Sequence, residues 1–150
     1  NLTIASPDMG GAKRAKNYAG YLGAEVVIAY KERKKANVVE EMLLIGDVTG
    51  RNVILIDDMI DTAGTLCKAA EILMKNGAKS VRAMATHPVL SGKAYENIEN
   101  SALSEVIVTD TIPVKTELSS KIKVLSCASL FADVMKMVHE HKSISDKFII

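Results

Sequence analysis

Two cysteines, no excess of charge of either sign and no long hydrophobic run: each scarcity in this 150-residue sequence removes a class of protein. Cys67 and Cys127 lie far apart, form no paired motif and sit in alanine-rich, helix-like segments. A disulfide scaffold is therefore unsupported, and both are expected to be buried thiols in a reducing compartment. Lysine and arginine total 19 against 18 acids, and a net charge of +1 gives no general pull toward nucleic acid or an acidic membrane. Any anion site must be local. No apolar run reaches about 18 residues, and no basic leader precedes an apolar block, so neither a membrane span nor secretion is supported and the cytoplasm is the expected location. The GxxxxGK[ST] pattern of an ordinary nucleoside triphosphatase is missing. Repeats, low-complexity tracts and linkers are also lacking. Asn1 leads almost directly into an apolar strand without an initiator methionine, which suggests a fragment whose upstream part is absent.

What is present suits one domain with one core, since 48% of the residues are apolar and 25% charged. Short β-branched runs recur at Leu2–Ala5, Val26–Ala29, Val53–Ile56, Val81–Ala85, Val106–Val108 and Val124–Leu125, without strict alternation, as in strands covered on both faces. Between most of them lie stretches of helical period. Leu66, Ala69, Ala70, Leu73 and Met74 mark one, stopped by Gly77; Ala12, Ala15, Ala19 and Leu22 mark another, closed by Gly23. Ala128–Glu140 is a third and Ser91–Asn100 a fourth, less regular one. Strand and helix in repetition predict an α/β fold of three layers, a mainly parallel twisted sheet flanked by helices, with ligands at the carboxyl ends of the strands. Tyr30–Arg51 breaks the pattern: a basic loop (YKERKKANV), an apolar EEMLLIG and a turn-like DVTGRN read as a mobile loop followed by an extra strand antiparallel to the Val53 strand.

The string VILIDDMIDTAGT, Val53–Thr65, carries the chemistry. Val53–Ile56 is expected to be a central strand, Asp57 and Asp58 its exit, and Thr65 the first turn of the next helix. Backbone N–H groups at a helix start converge on a phosphate; Gly64 permits close approach, and the Thr62 and Thr65 hydroxyls add donors. Ionised Asp accepts hydrogen bonds from hydroxyls but repels phosphate. A ligand with a phosphate at one end and vicinal hydroxyls at the other reconciles the two halves: a sugar phosphate, its diol facing Asp57 and Asp58, its phosphate in Asp61–Thr65.

The string resembles the phosphoribosyl pyrophosphate signature of the type I phosphoribosyltransferase fold. SPDMGGAKRA, YKERKKANV, GDVTGRNVILIDDMIDTAGTL, ATHPVLSGKA and VTDTIP extend the resemblance nearly end to end, to the ribose-phosphate pyrophosphokinase family, phosphoribosyl pyrophosphate synthetases, and to the C-terminal half of its members. The resemblance implies transfer of the diphosphoryl group of ATP to the 1-hydroxyl of ribose 5-phosphate, with release of AMP. It further implies Lys31 and Arg33 as catalytic loop cations that neutralise the moving group. Asp57, Asp58, Asp61, Thr62, Ala63, Gly64 and Thr65 would bind ribose 5-phosphate. Asp8, Gly10 and Gly11 would bind pyrophosphate, Asp8 also holding Mg²⁺, an ion suited to one or two carboxylates plus substrate phosphates. Members assemble into dimers and hexamers, so a homo-oligomer is expected. The sequence departs from the family at Lys34 and Lys35, where proline and a further arginine are common, while Asn37 keeps the pattern.

Read from the residues alone, Asp8 is equally a helix N-cap, Lys31–Lys35 a solvated basic loop, His87 a turn residue, His139 and His141 surface residues, and the methionines packing filler. A receiver-type signalling domain draws its acidic pair and phosphoacceptor from different strands, whereas all three acids here share one loop. A non-catalytic regulator of the same fold is the alternative function. A nucleobase phosphoribosyltransferase would add a base-recognising hood.

Overall fold

A computed structural model describes residues 1–32 and 41–148. Among these residues seven strands form one sheet: β1 (Leu2–Ser6), β2 (Glu25–Glu32), β3 (Glu41–Ile45), β4 (Asn52–Ile60), β5 (Ser80–Pro88), β6 (Glu105–Thr109) and β7 (Ile122–Leu125). Their spatial order is β3-β2-β1-β4-β5-β6-β7, parallel throughout except that β3 runs antiparallel to β2. Helices α1 (Ala12–Leu22), α2 (Gly64–Lys75), α3 (Ala94–Glu99) and α4 (Ala128–His139) fall where the periodicity places them, α3 beginning three residues later than expected. The mainly parallel α/β sheet with flanking helices is thus the observed fold.

Successive strand side chains point to opposite faces, and β4 divides its residues accordingly. Val53 and Leu55 join α2 residues Ala69, Ala70 and Leu73 in the larger core, while Ile54 and Ile56 meet Ile4, Ala15 and Ala19 of the α1 side. The small residues Ala15 and Ala19, one helical turn apart, allow α1 to lie close on β1, β2 and β4.

Three expectations need correction. The extra strand pairs with β2 rather than with the Val53 strand, in register Lys31↔Met42 and Ile28↔Ile45. Both edges of β4 are already taken by β1 and β5, so β3 pairs instead along the free outer edge of β2, the strand before it in the chain. Gly46 makes the exit from β3 possible: its φ is +112°, and a Cβ there would stand 2.6 Å from Val27 Cγ1. Second, β2 continues through Glu32, placing Lys31 on a strand instead of in a loop, whereas the expectations for Arg33, Lys34, Lys35 and Asn37 concern residues outside the described ones. Third, Cys67 is buried but Cys127 is only half-buried, because the helix it begins, α4, buries none of its residues.

With α4 unpacked, the α1 face of the sheet stays open over β5 to β7. An apolar cavity of about 350 Å³ lies there, lined by Ile54, Met84, Ile107, Tyr21, Leu22 and Leu125 among others. Phe131, Met135 and Val138 on α4 are more than half exposed.

Candidate functional site

From β1 the chain turns to β2 on one side, whereas β4 occupies the other, so the crevice between the carboxyl ends of β1 and β4 is the topological switch point of the sheet. Two loops meet there. The first, Pro7–Gly11, leads from β1 into α1. Asp8 does not cap the helix directly; its Oδ1 accepts the N–H of Gly11, the N-cap residue, at 2.8 Å, and Ser6 Oγ donates to Asp8 O at 2.7 Å. Gly11 must be bare, since a Cβ there would lie 2.6 Å from Ser6 Oγ and 3.7 Å from an Arg14 nitrogen. A Cβ at Gly10 would likewise come within 3.3 Å of Asp8 Oδ1.

The second loop, Asp61–Ala63, leads from β4 into α2. The ladder of β4 with β5 extends past Ile56, through Asp57↔Ala85 to Ile60↔Pro88. Asp57 and Asp58 therefore sit on the strand itself, not beyond its exit, and inherit the rigidity of a central strand. Ala63 adopts φ +61°, in the left-handed region that a non-glycine residue enters only when its surroundings compel it. Among the described residues no side chain caps α2, so the first-turn N–H groups next to exposed Thr62 and Thr65 keep their donor capacity for an anion.

The loop is buttressed from the segment between β5 and α3. Ser91 Oγ donates to Asp61 Oδ1, Ser91 N–H to Asp61 O at 3.1 Å, and Asn97 Nδ2 to Thr62 O at 2.9 Å. At the neighbouring ends of β5 and β6, His87 Nδ1 lies 3.0 Å from Thr111 Oγ1, whose hydroxyl donates to Thr86 O at 3.0 Å. His87 thus lies on β5 rather than in the turn expected of it, and its ring ties the ends of β5 and β6 together.

Sequence reasoning missed Arg14. Its Nη1 is 3.0 Å from Asp57 Oδ1 and its Nη2 2.8 Å from Asp58 Oδ2, so one guanidinium spans both acids. The signal was faint, because a helical arginine three residues after a glycine pair looks like any solvated cation. Burial pushes the Asp57 carboxyl above the ordinary range, and the nearby Asp58 and Asp8 charges push the same way. Asp58 is held below that range: what burial costs it is outweighed by its hydrogen bond with Asp57 and by Arg14. Asp8, Gly10, Gly11, Asp57 and Asp58 are thus brought together at the crevice, with Asp61–Thr65 following directly on β4.

Among the described residues no group of three or more His, Cys, Asp or Glu stands close enough to hold a metal alone. Asp8 fits an ion that needs less: its Oδ1 is occupied by Gly11, and among the described residues no hydrogen bond engages Oδ2.

Known proteins resemble this chain. A ribose-phosphate pyrophosphokinase of Wolinella succinogenes is 58% identical over 149 residues, 99% of this chain and 48% of the relative. The crystal structure of phosphoribosylpyrophosphate synthetase from Mycobacterium smegmatis superposes with a TM-score of 0.83 at 37% identity, covering 93% of this chain and 45% of that one. The adenine phosphoribosyl transferase of Trypanosoma brucei, solved with AMP, pyrophosphate and ribose-5-phosphate, shares the fold alone, with a TM-score of 0.57 at 21% identity over 88% of this chain and 68% of that one. The chain spans about half the length of the curated relatives it matches. Residues 35–149 match the family described as the phosphoribosyl synthetase-associated domain. With that match covering most of its length and its sheet that of the phosphoribosyltransferase fold, this chain belongs to the phosphoribosyl pyrophosphate synthetase family.

Proposed function

We propose that this chain supplies the ribose 5-phosphate site of a ribose-phosphate diphosphokinase, which moves the diphosphoryl group of ATP to the 1-hydroxyl of the sugar and releases AMP. The observation that carries the proposal is the pairing, on one crossover, of an uncapped helix start with two carboxylates facing one cation. The α2 amides with Thr62 and Thr65 grip the 5-phosphate, and Asp57 and Asp58 accept hydrogen bonds from the sugar diol. Held at both ends, the pentose presents its 1-hydroxyl toward the Asp8–Gly11 loop, where bare glycines admit the transferred group to the backbone. Lys31, near the end of β2, and Arg33 would bring cationic charge to the phosphoryl oxygens. Bound at Asp8, Mg²⁺ would neutralise phosphate charge and orient the diphosphate.

A homo-oligomer belongs to the same reading: exposed Phe131 and Met135 on α4 and the open sheet face need apolar cover. Among the described residues no helix is long and apolar enough to cross a membrane. Cytoplasmic placement remains part of the proposal.

Titration calorimetry tests the site. Ribose 5-phosphate should bind and free nucleobases should not; binding of bases without the sugar phosphate would overturn the assignment. Turnover is tested by AMP release from ATP with ribose 5-phosphate, run on this chain and on one extended to the length of its relatives.

A further inference from the structure

Asp57 and Asp58 are consecutive residues of β4, and consecutive strand side chains ordinarily point to opposite faces. Here both reach the same guanidinium. An arginine meeting one carboxylate commonly spends both terminal nitrogens on it, in parallel bonds. Arg14 divides them instead, Nη1 to Asp57 and Nη2 to Asp58, across 43 residues of sequence in the first case. The remaining bonds fix the pair further: Asp58 N–H donates to Asp57 Oδ1 and Met59 N–H to Asp58 Oδ1, each at 2.9 Å. Two adjacent carboxylates repel and would splay without a shared cation.

A vicinal diol makes the opposite demand, two acceptors aligned on one side. We propose that Arg14 is the positioning residue of the diol subsite: its fork draws Asp57 and Asp58 to one side of the strand and holds them there as a two-point acceptor for neighbouring hydroxyls. Arg14 and the Asp58 N–H both engage Asp57 through Oδ1, which leaves Oδ2 as the oxygen to take up the ligand. Arg14 itself acts on the sugar only through the acids. This inference rests on the reading of Asp57 and Asp58 given under the proposed function.

Two probes separate the subsites: ribose 5-phosphate, which needs both, and inorganic phosphate, which needs only the α2 start. Arg14→Gln should weaken ribose 5-phosphate binding on the order of tenfold or more, as loss of charge-assisted bonds does, and leave phosphate binding unchanged. Arg14→Lys keeps the charge but not the fork, so it should recover only part of the loss; it also serves if Arg14→Gln does not fold. Added to Asp57→Asn with Asp58→Asn, Arg14→Gln should cost nothing further. Equal weakening of both probes, full rescue by lysine, or additive losses would each overturn the role of Arg14. Parent protein that binds phosphate but not the sugar phosphate would instead overturn the reading of the acids.

Discussion

Ser91 and Asp61, thirty residues apart, are joined by a hydrogen bond from the serine hydroxyl to the carboxylate. The bond ties the segment before α3 to the candidate phosphate loop, and Asn97 repeats the tie one residue on, at Thr62 O. Asp61 therefore anchors, from beside it, the backbone that the proposed function sets against the 5-phosphate.

Removing that anchor should loosen the loop without touching the ligand. Ser91→Ala is expected to lower unfolding stability by about 1 kcal/mol, the usual net worth of one hydrogen bond. Phosphate affinity should fall a few-fold with it, and Ser91→Ala combined with Asn97→Ala should fall further. Urea unfolding and phosphate titration on the same samples check this; a stability loss with unaltered phosphate affinity would mean that the loop holds its shape unaided.

Replacing the acid pair should act on the ligand and hardly on the fold. Asp57→Asn with Asp58→Asn removes two charged acceptors, worth on the order of a hundredfold in ribose 5-phosphate affinity. Thermal melting should change little, because relief of carboxylate repulsion offsets loss of the Arg14 contacts. Unchanged affinity in calorimetry would refute the assignment of the pair.

Gly46 and Gly20 should respond oppositely to alanine. At Gly46 the added methyl meets Val27 at 2.6 Å in a left-handed backbone, and a loss of roughly 2–3 kcal/mol is expected. Gly20 lies within α1 with nothing in the way of a Cβ, so Gly20→Ala should stabilise by roughly 0.5–1 kcal/mol. Chemical denaturation of both variants gives the comparison; equal effects would contradict the tight β3 exit.

Asp110 accepts the N–H and thiol of Cys127, each at 2.9 Å, joining the end of β6 to the start of α4. Those bonds, the thiol's first, hold its carboxyl at about 2 instead of the ordinary 3.8. The folded-state value is depressed, so the stability Asp110 contributes is complete above about 3.8 and is lost as pH falls toward about 2. The gap in urea midpoint between parent and Asp110→Asn should accordingly be widest near neutrality and nearly close by pH 2. Asp110 also raises the Cys127 thiol, so Asp110→Asn should speed alkylation of Cys127 at pH 7.5. An unaltered alkylation rate would show that the thiol proton is not held by this carboxylate.

Local order alone determined much of this protein. The β-branched runs and the period of Leu66, Ala69, Ala70 and Leu73 located the strands and the helices, though not the partner of β3, because a strand covered on both faces is written as a short apolar run and a helix stripe at a spacing of about 3.6 residues. The string from Val53 to Thr65 announced acids beside a helix start for the same reason: both belong to one crossover. Three matters were decided only in three dimensions. Which edge receives β3 depends on which edges other strands have taken; whether α4 is covered depends on surfaces distant along the chain. Above all, the guanidinium that turns Asp57 and Asp58 toward one another comes from α1, and only the parallel pairing of β1 with β4 carries it there.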